Sequence, residues 1–421
     1  MRNSGVMVLI GILFLALIAP SMAFGQRLGQ AATTAPAKFV HPGLFHNSAQ
    51  LALARKQIAA KAEPWSSAGA ALQKYADLSW KPHAKEDWDV FGTYDSNYLA
   101  GDPVMAYALA LHWAISGEQK YADKAIEILN AWSSTLKVIS NSHTDKQPQE
   151  AKVSCGWNGS HFANAAELLA YYQPNGVPSG WAPADIARCQ KMLRIFYEVI
   201  KDFEPGYNGN YDAAMMDSMA CIAVFSEDRA MFDRALDHFW GKYEFGGPNK
   251  VDHGNLKVYF LATTGQCQET GRDQGHTQQA LGNYVSLCEV AWNQGVDLYS
   301  AHDNLLLRAF EYTAKYNLGR DVPFEALHKV GWLDTPDAGD PNKDDPAKCS
   351  RGLFIPVYET AYQHYAVRKN LPMPFTAEVI ASQTLRVQSQ KAPKRAYRPE
   401  GMCPNSGLNW GTLNVAPPAR D

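Results

Sequence analysis

The sequence has no closely spaced cysteines, no excess of basic charge, no strict period-two alternation of apolar residues and, beyond its first 25 residues, no long apolar run. Each absence excludes something. The 7 cysteines, at 155, 189, 221, 267, 288, 349 and 403, stand singly without Cys-x-x-Cys spacing, which rules out zinc ribbons and a dense disulfide framework. One or two disulfides stay open in an oxidising compartment. A formal net charge of −3 provides no basic face, so nucleic acid is not expected as a partner. No later stretch is apolar enough to cross a membrane, so no span is expected in the mature chain. Without alternating segments there is no sheet to carry a core, and helices must do it.

What is present begins at residues 1–25, with Arg2, an apolar run over 6–18 and a small-residue exit at Ser21-Met-Ala23 or Ala23-Phe-Gly25. That is the layout of a secretory signal peptide, so a periplasmic or secreted protein is expected. Residues 26–40, rich in Ala, Thr and Gln, read as a flexible lead-in, and 41–370 as the folded unit. The prolines and basic residues of 371–421 suggest an extended strap.

Helical periodicity is clearest over 103–136. Met105, Ala108, Leu109, Leu111 and Ala114 form one stripe, Ser116-Gly-Glu breaks it, and Tyr121, Ala125, Ile128, Leu129 and Trp132 form the next. This predicts a helical hairpin. Further helices are expected over 162–172, 183–203, 212–225, 229–239, 277–294, 304–317 and 351–368. Consecutive antiparallel pairs without a fixed-length repeat predict an all-α fold, an (α/α) toroid or incomplete helical barrel. The acidic Asp-Pro stretch over 334–346 reads as a solvated surface loop, since its prolines and missing terminal Glu do not suit a calcium loop.

The unusual polar residues collect where helices are expected to begin. Trp157-Asn-Gly-Ser-His161 precedes one, Tyr207-Asn-Gly-Asn-Tyr-Asp212 another, and Gln268-Glu-Thr-Gly-Arg-Asp-Gln-Gly-His276 a third. Taken singly, Asn-Gly reads as a turn and Asp273 as an N-cap. Taken together, helix N-termini on one rim present N–H groups and positive dipole to a carboxylate. In helical spacing, Arg272 and His276 lie one turn apart, with Glu269 and Asp273 on the same stripe. Gly271 and Gly275 weaken a helix there, which suggests close approach of a ligand or of another backbone.

On these residues, together with 106–132, Ala165-Ala-Glu-Leu-Leu169, Gln294-Gly-Val-Asp-Leu-Tyr299 and Pro356-Val-Tyr-Glu359, the sequence resembles the alginate lyase superfamily of polysaccharide lyases. The resemblance implies an (α/α) toroid, secretion and β-elimination on a uronic-acid polysaccharide such as alginate or glucuronan. The best-known members carry Asn-Asn-His-Ser-Tyr-Trp; the nearest match here, Asn208-Gly-Asn-Tyr-Asp212, has no histidine. That departure points to a sister subfamily in which His276 takes the role.

Uronate elimination needs a group to neutralise the carboxylate, a base for the C5 proton and an acid for the departing oxygen. Arg272 with Asn158, Asn208 or Asn210 suits the first task, His276 the second and a tyrosine the third. Tyr358 is the expected acid, with Tyr211, Tyr259 and Tyr299 open. Asn158, His161, Asn208, Tyr211, Glu269, Gln274 and Glu359 are assigned to substrate binding. The chemistry calls for no metal and no cofactor. A glycoside hydrolase using two of Glu269, Asp273 and Glu359, and a non-catalytic glycan binder, are the competing readings.

Overall fold

The computed structural model describes residues 38–90, 101–142, 149–245, 252–325 and 350–389. The signal peptide, most of the lead-in, the aromatic stretch 91–100, the Asp-Pro loop and the last part of the tail lie outside them. Thirteen α-helices occur among the described residues: α1 Ser48–Ala59, α2 Trp65–Tyr75, α3 Asp102–Ser116, α4 Gln119–Thr135, α5 Glu150–Tyr171, α6 Pro183–Ile200, α7 Gly209–Phe225, α8 Arg229–Phe239, α9 Leu256–Tyr259, α10 Gln274–Asn293, α11 Ala301–Asn317, α12 Tyr358–Tyr362 and α13 Pro374–Ser389. The only sheet among them is a parallel pair of three-residue strands, β1 Asp87–Asp89 and β2 Val138–Ser140.

Composition sorts the helices into two layers. α3, α5, α7 and α10 are buried on nearly every face, whereas α4, α6 and α8 bury one stripe and leave the rest to water. The fully buried helices neighbour one another in the order α3, α5, α7, α10, and each packs against the helix that follows it. This is the expected all-α toroid of antiparallel pairs. Gly117, in the left-handed conformation at φ 77, ends α3 where Ser116-Gly-Glu was expected to break the stripe.

α5 departs from expectation by starting at Glu150, well before 162. Asn158 and His161 therefore lie inside a helix, two to three turns from its start, and not in a loop. The glycines that suggested a turn serve packing instead. A Cβ at Gly156 would come within 2.8 Å of the Ala214 carbonyl carbon, and one at Gly159 within 2.3 Å of Ser218 Oγ, so the glycines let α5 lie against α7.

Two further expectations are corrected. The helix expected from 351 begins only at Tyr358 and passes into a π-helical turn over Gln363–Arg368. The strap expected after Leu371 starts with α13, because Glu311 of α11 accepts from the backbone N–H of Phe375 (3.1 Å) and Thr376 (2.8 Å) and so caps that helix from outside. The five described cysteines, 155, 189, 221, 267 and 288, are buried and free.

The ring is fastened by its first described segment. Val40 N–H donates to Gln294 Oε1 (2.9 Å), Gln294 Nε2 to the Gly43 carbonyl (2.6 Å) and Asn293 Nδ2 to the Leu44 carbonyl (2.7 Å). Gln50 of α1 adds a bond to Glu289 Oε1 (2.9 Å), which also takes a two-pronged contact from Arg368.

Candidate active site

Three helix starts meet at one place: those of α5, α7 and α10. Because each outer helix returns the chain, the inner helices run the same way and bring their N-termini to a common end. The first turn of α5 is tied to the loop before α7 by Lys152, which pairs with Glu204 at 2.6 Å and donates to the Phe203 carbonyl. That loop reaches the third start through Gly209 N–H, which donates to Gln268 Oε1 at 3.2 Å.

At α10, Asp273 is the N-cap, its Oδ1 accepting from the His276 backbone N–H at 2.9 Å. Its second oxygen, Oδ2, holds His276 Nδ1 at 2.6 Å. Gly275 leaves room for this cap, since a Cβ there would meet Asp273 Oδ1 at 3.0 Å. With Nδ1 engaged by a carboxylate, the imidazole carries its lone pair on Nε2. The His276 side chain is 35% exposed, and no described residue bonds Nε2.

Arg272 lies beside this pair, with Nη1 3.4 Å from Glu269 Oε2 and Nε 3.6 Å from Asp273 Oδ2. Glu269 is fully buried and its Oε1 has no hydrogen-bond partner. Burial raises its pKa against the opposing pull of Arg272 and His276. For Asp273 burial also acts upward, but the hydrogen bond and charge of His276 outweigh it and hold the carboxyl below its ordinary value.

The facing wall comes from α5 and α7. Tyr211 OH donates to Glu150 Oε1 at 3.0 Å, and the Tyr207 ring meets the Tyr211 ring edge-on at 4.9 Å. The two phenols interact through their hydroxyls, and the Tyr207 hydroxyl also feels the charges of Arg272 and Glu269. Burial pushes Tyr207 up to about 12 and Tyr211 higher still, so both remain protonated at neutral pH. Glu150 is raised by burial, against the Tyr211 hydrogen bond and the charges of His276 and Arg272. Asn208 caps α7 by backbone alone; its Nδ2 and the Oδ1 of Asn210 are buried without partners. Orphaned buried polar atoms call for a reason, and these two lie at the start of α7, next to the other two helix starts.

The structure thus brings together His276, Arg272, Glu269, Tyr211, Asn208 and Asn210. It does not bring in Tyr358. That residue is fully buried on α12 with its hydroxyl donating to Gln278 Oε1 at 3.0 Å, a core tyrosine whose polar group is satisfied. Glu359 shares that short helix. Gln274 turns toward α11, accepting from Asn317 Nδ2 at 2.7 Å, so it braces the helix. Asn158, fully buried, donates to the Ser154 carbonyl at 2.9 Å within α5. His161 is buried with Nδ1 on the Trp157 carbonyl at 2.6 Å, and burial lowers it to about 4, so it stays neutral inside the ring. Glu150 and Tyr207 were missed. Tyr207 and Tyr211 are four residues apart, which hints at a shared face; nothing local marks Glu150.

The alginate lyase family profile matches residues 93–322. Among solved structures, the fold is similar to an alginate lyase from Bacteroides ovatus at 14% identity and a TM-score of 0.58, covering 88% of this chain and 99% of that one. A variant of alginate lyase A1-III complexed with a tetrasaccharide aligns at 16% identity over 66% of this chain and 77% of that one, with a TM-score of 0.46. No curated protein sequence matches the chain. The profile spans more than half of the chain, across the helix starts of α5, α7 and α10, and on that ground the chain belongs to the alginate lyase family and is a polysaccharide lyase.

Proposed function

We propose that this lyase is exported and cleaves a uronic-acid polysaccharide of the alginate or glucuronan kind, with His276 as base, Arg272 as neutraliser and Tyr207 as acid. The observation that carries the reading is the Asp273–His276 contact of 2.6 Å, which commits Nδ1 and leaves Nε2 toward the cleft beside Arg272. Export is supported by the leader pattern of residues 1–25 and by a polymer substrate too large to enter a cell intact.

Arg272, with Asn208 and Asn210 at the α7 start, would hold the C6 carboxylate and take up the charge that develops on it as the C5 proton leaves. Glu269, whose pKa burial raises, stands behind Arg272 and orients its guanidinium. His276 Nε2 takes the proton; the C5–H electron pair becomes the C4–C5 double bond and the C4–O bond breaks. The departing oxygen takes the Tyr207 phenol proton; solvent returns a proton to Tyr207 as His276 releases the one it took, while Tyr211, bonded to Glu150, packs its ring against Tyr207. Three helix N-termini directed at one anionic ring favour the same binding mode.

A purified preparation supplied with alginate, glucuronan and glycosaminoglycans tests this. Unsaturated product, followed by near-ultraviolet absorbance, is expected on alginate or glucuronan; new reducing ends without absorbance would mean hydrolysis. Tyr207→Phe is expected to lose about 10²-fold or more in turnover, and Tyr358→Phe less than about tenfold. The reverse order would return the acid to Tyr358.

A further inference from the structure

Away from the cleft, one imidazole and two carboxylates are enclosed together. His238, in the last turn of α8, has its Nε2 3.0 Å from Asp212 Oδ2 in the first turn of α7 and its Nδ1 3.6 Å from Asp252 Oδ2 before α9. The His238 and Asp212 side chains are 0% and 1% exposed. Phe203, Tyr243 and Phe245 pack their rings around the imidazole, at centroid distances of 4.1, 5.9 and 5.3 Å. The enclosure is apolar, yet neither carboxylate is paired with a lysine or arginine among the described residues.

We propose that Asp212, His238 and Asp252 bind one divalent transition-metal ion, zinc being the best match to one imidazole nitrogen and two carboxylate oxygens. Three observations lead there. The first is charge. Two carboxylates beside one imidazole, Asp212 1% and Asp252 18% exposed, concentrate negative charge that no lysine or arginine among the described residues offsets, and a divalent cation would neutralise it.

The second is spacing. One ligand atom from each residue lies within 4.8 Å of the others. A tetrahedral zinc with bonds of about 2.0–2.1 Å separates its ligand atoms by roughly 3.4 Å; the 3.6 Å contact of Asp252 Oδ2 with Nδ1 fits that value, and Asp212, whose Oδ2 is 3.0 Å from Nε2 on the other side of the ring, would turn its carboxylate toward the ion.

The third is an open valence. His238 Nδ1 makes no hydrogen bond although the residue is fully buried, and it faces Asp252 Oδ2.

The carboxylates are already held from outside, as metal ligands are. Asp212 Oδ1 accepts from Glu204 N–H at 2.9 Å. Asp252 Oδ1 accepts from the N–H groups of Gly254 (2.9 Å) and Asn255 (3.0 Å), and its Oδ2 from Asn255 Nδ2 (2.9 Å). The remaining coordination position falls to water. The ion would bind the start of α7, which carries Asn208, Asn210 and Tyr211, to the end of α8 and the segment before α9. Its role is to hold that wall in place, and it takes no part in proton transfer.

The test uses the mature protein, expressed without a polyhistidine tag in zinc-supplemented medium and freed of loose metal by gel filtration. Elemental analysis is expected to find about one zinc per chain. Chelator-stripped protein is expected to melt about 3–5 °C higher when zinc chloride is restored at a hundredfold excess over Kd. Asp252→Asn, which keeps the backbone acceptor, should lose both signals. Cobalt in place of zinc should give the visible absorption of a tetrahedral site. Wild-type protein with less than about a tenth of a metal per chain and no melting response overturns the proposal without any variant having to fold. Equal zinc in folded Asp252→Asn overturns it too.

Discussion

Two histidine–carboxylate groups sit at helix ends in this protein, and they differ in one respect that decides what each can do. His276 is held by Asp273 through Nδ1 alone, at 35% exposure, with Nε2 left toward the cleft. His238 has a carboxylate on each nitrogen and none of its side chain reaches water. An imidazole gripped on one side is oriented for work; one flanked on both sides and sealed can only hold structure or an ion. The same residue types, counted from sequence, would not separate the two.

The sharpest way to break that comparison is to remove each ring in turn. His276→Ala is expected to lower turnover by roughly 10²–10⁴-fold while the melting temperature stays close to wild type. His238→Ala leaves the Asp212 and Asp252 carboxylates without the ring between them and should cost about 3–5 kcal/mol, with a much smaller loss of turnover per folded molecule than His276→Ala, since it loosens the α7 wall without removing a proton-transfer group. Measured elimination rates beside calorimetric melting curves decide it. If His276→Ala lost stability and kept its rate, the histidine would be a cap and the site would lie elsewhere.

A smaller effect is expected from Arg272→Lys. Lysine keeps the charge but not the planar fork that meets a carboxylate along two bonds, so kcat/KM should fall by about 10–100-fold. Steady-state kinetics with a saturable oligouronate would show it, and an unchanged kcat/KM would remove Arg272 from carboxylate binding.

The smallest effect concerns a third histidine, His41, gripped on both nitrogens by Glu167 (2.8 Å) and Glu227 (2.7 Å) but near the surface. Burial pulls its pKa down, yet the two glutamates outweigh that and leave it above its ordinary value. A raised folded-state pKa means stability that is full below the unfolded value near ~6.5 and fades as pH rises through the folded one. The melting temperature of wild type should therefore exceed that of His41→Gln by about 2 °C at pH near 6, and the gap should narrow as pH rises through the raised pKa of His41. A gap independent of pH would show that the ring acts by packing on Tyr171, which it stacks at 4.0 Å.

The helices were legible where one side faces water. Arg229–Phe239 matched its expected bounds, and the Gly117 turn stood where the stripe broke. They were less legible where both sides are buried. The run Trp157-Asn-Gly-Ser-His161 has the composition of a turn, but Gly159 makes room for Ser218 of α7, distant in sequence, and Asn158, Ser160 and His161 bond to carbonyls of their own helix. The site followed the same rule. Asp273, Arg272 and His276 are close in sequence, so helical spacing could assemble them. Glu150, Tyr207 and Tyr211 meet only because α5 and α7 start at the same end of the ring, and no local pattern records that. Tyr358 was chosen for its neighbour Glu359, while Gln278, the partner that satisfies its hydroxyl, comes from α10.

The fastening of Val40, Gly43 and Leu44 to Asn293 and Gln294 sets an order of events in time. These partners are 249 to 254 residues apart. Joining ends that distant costs about 5 kcal/mol of chain entropy from length alone, so the contact is worth making only after the inner helices have shortened the path between them. The opening segment, though made early, thus completes its contacts late. Until Asn293 and Gln294 arrive, the opening segment is held only from α5, by Glu167 on the Gly43 N–H and Asn164 on the Phe45 N–H, and a nascent chain halted before that point is an arc that this fastening cannot close.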